Sequence, residues 1–279
     1  AALSLRPALV LALVGLIVWR AGVGLGAEAA LAAQLVSSAL LVVVIYALLR
    51  RALPKEAREV QTGYENSRWM KSMIPFMFVV GMQILNNETS LVLLGILRSP
   101  EEVGLFRVAQ RGALLIPFGL QAVNMAIGPT VSELFAKGEK KRLQRLVSKS
   151  ILAVLAFALP VALVLILGGG WLINVVFGAD YAPAYMSLVI LCLGQLVNAG
   201  MGSVGLILNM AGMERFTARG VAIAAVASVV LNGALIPFFG VVGAAVATSA
   251  SLVIWNLLLS IWLYRETGIL STVRLKKIR

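Results

Sequence analysis

The sequence predicts an all-α integral membrane protein, and three observations lead to this fold class. Hydrophobic residues make up 60% of the chain and charged residues 13%, and the mean hydropathy is +0.96, values outside the range of soluble domains. Apolar stretches such as 7–23, 29–49 and 151–167 have the roughly 17 to 25 residues that a helix needs to cross a hydrocarbon core. They lack the period-two alternation of a membrane barrel, so we expect helices.

The apolar pattern predicts about eight transmembrane helices joined mostly by short connections. A loop follows the fifth span over 168–182, and we expect a brief interfacial helix over 171–177, where Trp171 would act as an aromatic anchor. The predicted spans are 5–22, 27–50, 69–97, 102–136, 143–168, 183–211, 215–237 and 240–265.

The formal charge of +12 reports membrane topology rather than nucleic-acid binding, because the basic residues lie between apolar spans. All Lys and Arg residues except Arg20, Arg98, Arg107 and Arg111 fall on one side of an eight-helix arrangement. The positive-inside rule makes that side cytoplasmic. We therefore expect a multi-pass protein of the cell's inner or plasma membrane, with both ends of this chain in the cytoplasm.

Nothing in the composition predicts a metal or a cofactor. The chain has no histidine and a single cysteine, which excludes cysteine-rich metal sites and removes the commonest general base. Cys192 lies inside an apolar run, where we expect it to pack.

Several segments together resemble the polysaccharide and O-antigen flippases of the multidrug/oligosaccharidyl-lipid/polysaccharide (MOP) exporter superfamily. The order and spacing of these segments over residues 70–265 carry the resemblance. They are Leu93-Leu94-Gly95-Ile96-Leu97, Pro100-Glu101-Glu102-Val103-Gly104-Leu105-Phe106-Arg107-Val108-Ala109, Phe177-Gly178-Ala179-Asp180-Tyr181, and Leu231-Asn232-Gly233-Ala234-Leu235-Ile236-Pro237 followed by Gly240 and Gly243-Ala244-Ala245.

This resemblance implies a two-lobe transporter that works by alternating access on a lipid-diphosphate-linked oligosaccharide. Residues 1–50 would be the last two helices of the first lobe, 51–68 a cytoplasmic linker, 69–265 the six-helix second lobe and 266–279 a cytoplasmic tail. Four further helices would precede this chain. Membrane lipids, and other polysaccharide-assembly proteins, are the remaining expected partners.

Arginines on the fourth predicted helix are candidates for binding the diphosphate. At 100° per residue, Gln110, Arg111 and Gln121 fall within about 60° of Arg107. A charge inside a membrane normally faces a cavity or a partner, and the planar guanidinium suits phosphate. In the alternative interpretation, Arg107 reaches the membrane interface while Arg111 pairs with a structural acid.

The third predicted helix carries a polar stripe that suits sugar hydroxyls, because amides both donate and accept hydrogen bonds. Hydrogen bonding between helices is the alternative role. Its members are Gln83, Asn86, Asn87 and Ser90. Glu88 lies about 140° from Gln83 and at a depth similar to Arg111, so ion coupling and a salt bridge with Arg111 are its two open roles.

Three other functions compete with lipid-linked oligosaccharide transport. A drug or small-cation exporter of the same superfamily fits a cationic cavity less well. A membrane-embedded glycan polymerase or ligase usually has a large outer loop, which this sequence lacks, so we expect no enzyme activity. A membrane scaffold that transports nothing is disfavoured by the charges within the spans.

Overall fold

The computed structural model describes residues 27–52 and 88–271. The chain divides into two compact units, Ala1–Ser67 and Arg68–Arg279, each of which is described by itself. Within the described residues every regular element is helical, which confirms the predicted all-α class.

The described part of the first unit is one long helix, α1, Ala27–Ala52. It agrees with the predicted span 27–50, and its 26 residues would extend about 39 Å. Large apolar side chains such as Leu35 and Val42 are 71% and 66% exposed. Such a surface is suited to lipid tails, which are as apolar as the side chains themselves.

The second unit contains the remaining described helices. In chain order they are α2 (Glu88–Leu97), α3 (Pro100–Ala113), α4 (Phe118–Ala136), α5 (Lys140–Phe177), the 3₁₀ turn η1 (Ala179–Tyr181), α6 (Ala184–Met201), α7 (Val204–Met210) and α8 (Glu214–Thr267).

Helices α5, α6 and α8 are each long and apolar enough to cross a membrane, and the bent pair α3 and α4 forms a further candidate span. The predicted count of eight is not confirmed, because the span 5–22 and most of the span 69–97 lie outside the described residues.

The predicted single helix 102–136 is wrong, because α3 and α4 meet at a bend of 46°. Pro117 ends the intervening segment and has no amide hydrogen to continue the helix. The chain tightens there, since the Leu115 amide donates to the Gly112 carbonyl and the Ile116 amide to the Ala113 carbonyl. These are bonds of the 3₁₀ type. Because of them, the helical phase of α3 does not continue into α4.

The end of the fifth predicted helix at 168 and the separate helix 171–177 are also wrong, because α5 runs without interruption to Phe177. A Cβ on Gly169 would lie 2.9 Å from Leu188 Cδ2. The small residues here allow close helix packing instead of ending the helix. Gly178, with φ of 96°, ends it.

The predicted helix 183–211 is two helices, because Gly202 adopts φ of 70° between α6 and α7. This glycine also packs closely against α5, where an added Cβ would lie 2.5 Å from Ile151 Cγ1. Both the positive φ and the close approach require glycine.

Helix α8 is a helical hairpin. A straight helix of its 54 residues would extend about 81 Å, far beyond a hydrocarbon core of about 30 Å. Gly240 interrupts it with φ of 52° and ψ of −128°. A Cβ on Gly220 would lie 2.8 Å from Leu259 Cδ2, so the halves 214–239 and 241–267 run antiparallel. Their division agrees with the last two predicted spans.

Two buried apolar clusters hold the second unit together. Phe106 and Cys192 lie in the first cluster, and Ile207 and Leu263 lie in the second. The burial of Cys192 agrees with its predicted packing role.

Candidate functional site

A cavity of about 250 Å³ opens between α2, α3, α6 and both halves of α8. It lies where the two clusters meet, since Ala113 belongs to the first cluster and Trp255 packs against the second. Its lining residues are Glu88, Arg107, Gln110, Arg111, Ala113, Leu114, Leu191, Gln195, Ser228, Thr248, Ser251, Leu252 and Trp255.

Arg107 and Glu88 form an ion pair on the cavity wall. Arg107 Nη1 lies 3.1 Å from Glu88 Oε2 and 3.4 Å from Oε1, and it also donates to Gln110 Oε1 at 3.2 Å. Both charged side chains are 43% exposed. The pair therefore lies at the cavity surface and not in the apolar core.

The predicted salt bridge between Glu88 and Arg111 is wrong, because Arg107 is the partner of Glu88. The prediction matched residues by depth, and Arg107 differs from Arg111 by four residues, or about 6 Å along the helix. An arginine side chain is long enough to compensate for much of that distance. Depth in the membrane alone therefore could not identify the ion-pair partner of Glu88.

Arg111 is the charged side chain of the described lining that lacks an ion-pair partner within residues 88–271. This side chain is exposed. Since Glu88 and Arg107 balance each other, the charged residues among the described lining leave one net positive charge.

Helices α6 and α8 supply polar groups that the sequence reasoning missed. Ser251 and Thr248 donate to the carbonyls of Ala247 and Ala244 at 2.8 Å, so their hydroxyl oxygens can still accept hydrogen bonds. Thr248, Ser251 and Trp255 are spaced at i, i+3 and i+7, which places them on one helix face. This spacing was the sequence signal that could have identified them. The polar groups in question are Gln195, Ser228, Thr248, Ser251 and Trp255.

The other predicted site residues have varied positions. Ser90 is 2% exposed and its hydroxyl lies 2.7 Å from that of Thr248, so it supports a lining residue without lining the cavity. Gln121 follows the bend at 114–117 and is absent from the lining, because the helical phase assumed for it does not continue through the bend. Gln83, Asn86 and Asn87 lie outside the described residues.

The described residues contain no group of His, Cys, Asp and Glu side chains that could hold a metal ion. The described lining offers hydrogen-bonding groups to a ligand, namely the Arg111 guanidinium beside hydroxyls, amides and an indole ring.

Comparison with known proteins identifies the family. The model of the polysaccharide biosynthesis protein family matches residues 2–186, which is more than half of the chain. The chain belongs to this family. The predicted polysaccharide family is thereby confirmed, and the long apolar helices of the described residues agree with the predicted class of multi-pass membrane proteins.

Two curated archaeal proteins are similar in sequence to this family member. A probable low-salt glycan biosynthesis flippase, Agl15 of Haloferax volcanii, is 26% identical over 54% of this chain and 32% of its own length. An uncharacterized membrane protein of Methanocaldococcus jannaschii is 26% identical over 75% of this chain and 42% of its own length. The chain thus spans less than half the length of these relatives.

Solved structures with the same fold include a flippase and a MATE protein by their titles. The lipid II flippase MurJ in an inward closed conformation has a TM-score of 0.73 at 14% identity, over 93% of this chain and 55% of MurJ. A MATE protein in a bent conformation has a TM-score of 0.59 at 22% identity, over 74% of this chain and 47% of that protein. At these identities the likeness establishes the fold.

Proposed function

We propose that the complete protein is a flippase that moves a lipid-diphosphate-linked oligosaccharide across the cell membrane by alternating access. The observation that carries this proposal is the Arg111 guanidinium, which has no ion-pair partner within residues 88–271 and lines a cavity whose other described charges are paired. A planar guanidinium can donate two parallel hydrogen bonds to a phosphate. The diphosphate of the lipid-linked substrate would then bind next to the Arg111 guanidinium.

The polar lining suits the sugar part of such a substrate. The Ser251 hydroxyl oxygen can accept a hydrogen bond and the Gln195 amide nitrogen can donate one, and sugar hydroxyls do both. Trp255 adds an apolar ring beside them. We assign the diphosphate to Arg111, with Arg107 and Gln110 beside it, and the sugars to α6 and α8.

The relatives support a glycan substrate over a cationic drug. Agl15 is described as a glycan biosynthesis flippase and MurJ as a lipid II flippase, whereas the MATE likeness keeps an exporter within the same fold. The net positive charge of the described lining repels a cation and favours the flippase. An enzyme is disfavoured because the two relatives with a named activity, Agl15 and MurJ, are flippases.

The test is replacement of Arg111 in the full-length protein. We expect Arg111→Ala to abolish surface polysaccharide and to weaken binding of a lipid-linked diphosphate roughly tenfold or more, since a hydrogen-bonded charge contributes about 1.5–3 kcal/mol. Arg111→Lys should restore only part, because lysine keeps the charge and loses the two-pronged geometry. The measurements are surface polysaccharide in cells and binding to purified protein.

Arg265→Ala is the matched control, because Arg265 is exposed near the end of α8 and is absent from the cavity lining. Membrane abundance is measured for every variant to separate folding from transport. An Arg111→Ala protein that is inserted normally and exports wild-type amounts of polysaccharide would show that the binding role is wrong.

A further inference from the structure

A second cationic site lies at the basic end of α5 and shares no lining residue with the substrate cavity. It is an open groove of about 300 Å³ between α4 and α5. We call it the α5 groove. Its lining residues are Leu134, Arg142, Arg145, Leu146 and Lys149.

The spacing of these residues shows that the α5 groove and the protein core lie on different faces of α5. Arg142, Arg145 and Lys149 follow each other at i, i+3 and i+7, which places them on one face of α5. Leu143 and Val147, on another face of the same turns, are each 1% exposed and belong to the second apolar cluster. The cations therefore face away from the core, toward the surroundings of the second unit.

The groove has more positive than negative charge. Arg142 pairs with Glu139 at 2.9 Å, and Arg145 donates from Nε to the Lys141 carbonyl at 3.4 Å. Lys149 has no ion-pair partner among residues 88–271. Two of the three cations of the groove are thus available to an anion.

The position of the groove along α5 identifies the kind of anion. The helix has 38 residues, about 57 Å, which is far more than the hydrocarbon core requires. Its long apolar run begins at Ile151, two residues after Lys149. The cations are therefore at the level where headgroups lie, and Leu134 and Leu146 beside them suit the first part of an acyl chain.

We propose that the α5 groove binds the phosphate of an anionic phospholipid, such as phosphatidylglycerol, from the surrounding membrane. Arginine and lysine attract the phosphate while the two leucines contact the lipid body. This lipid site is separate from the transported substrate, and it stands whether or not the transport proposal holds.

The test uses native mass spectrometry of the full-length protein in detergent with dioleoyl phosphatidylglycerol or dioleoyl phosphatidylcholine. We expect the wild type to retain phosphatidylglycerol in preference to phosphatidylcholine. The double variant Arg145→Gln/Lys149→Gln should weaken phosphatidylglycerol binding roughly tenfold or more, since each basic residue near an anionic headgroup adds to the affinity. Lys140→Gln/Lys141→Gln is the matched control with the same change in charge. These two lysines lie outside the groove, so the control should weaken binding clearly less than the groove variant does.

Other outcomes would overturn the proposal. Equal losses in both double variants would mean that net charge alone attracts the lipid, and equal retention of the two lipids would mean that no anionic site exists. Inorganic phosphate that binds as well as the lipid would identify a simple phosphate site. Thermal unfolding of each variant confirms that the protein tested is folded.

Discussion

At the scale of single residues, the cavity combines a paired and an unpaired arginine one helical turn apart. Arg107 is held by Glu88 and by Gln110, whereas Arg111 has no charged partner in the described part of the chain. The pair keeps the local charge low while leaving a single guanidinium for an anion. We therefore propose a structural role for Glu88 in the wall, and this role can be tested by itself.

We predict that Glu88→Gln lowers stability by about 1 kcal/mol or less, because the pair is half-exposed and water screens it. A fully buried pair would cost about 3–5 kcal/mol on losing one partner. Thermal unfolding in detergent measures the difference, and polysaccharide export is measured in cells. Export should continue, since Arg111 is unchanged.

Glu133→Gln is the matched control, because Glu133 pairs with Lys137 and is absent from the cavity lining. It removes the same charge. If Glu88→Gln alone abolished export at normal membrane abundance, the carboxylate would couple an ion and would be more than a structural partner.

At the scale of elements, the tip of the α8 hairpin is held by the start of the α3 region. Arg98 donates to the carbonyls of Ile236 at 3.1 Å and of Pro237 at 2.7 Å. These carbonyls lie in the last turn before Gly240, whose φ and ψ depart from helical values. Glu102 lies next to the turn, since a Cβ on Gly240 would be 2.5 Å from its Oε2. These contacts give a reason why Arg98, one of the four basic residues outside the predicted cytoplasmic side, lies at this position.

We predict that Gly240→Ala destabilises the protein by about 1–3 kcal/mol, because φ of 52° is unfavourable for alanine and the methyl group would meet Glu102. Gly233→Ala is the matched control. An added Cβ there meets nothing within 4 Å, and alanine is favoured in a helix, so we expect a gain of up to about 1 kcal/mol. The measurement is the unfolding temperature, which should fall for Gly240→Ala and rise or stay unchanged for Gly233→Ala. Equal shifts in the two variants would contradict the role of the turn.

Interruptions of helices were the least predictable elements. A single helix was predicted over 102–136, but the segment 114–117 separates two helices that meet at 46°. The break at Gly202 depends on its close approach to Ile151, a contact between residues far apart in sequence. Hydropathy averages over many residues, so it locates apolar stretches and overlooks a single interrupted turn.

At the scale of the whole molecule, the membrane topology rests on the distribution of basic residues. We predict that the loop before α5 and the loop after it lie on opposite sides of the membrane, with the basic loop in the cytoplasm. Lys141→Cys and Asp180→Cys, each in a Cys192→Ala background, place single thiols at exposed positions on the two sides. An impermeant reagent applied outside intact cells should label only Asp180→Cys. Labelling of both, or of Lys141→Cys alone, would reject the orientation.

The division of the chain into a short first-lobe part, a linker and a six-helix second lobe stays a prediction. So do the roles of Gln83, Asn86 and Asn87, which lie outside the described residues.

The sequence by itself determined the class of this protein, because the need to satisfy backbone hydrogen bonds in lipid acts on each segment separately. It therefore predicted the helical fold, the hairpin of α8 and a cationic face on α3. The spacing of Thr248 and Trp255 places them on one helix face, but only the tertiary structure decided that this face lines the cavity and that Glu88 pairs with Arg107. Those choices depend on how helices distant in sequence rotate and pack against each other, and no local pattern records that.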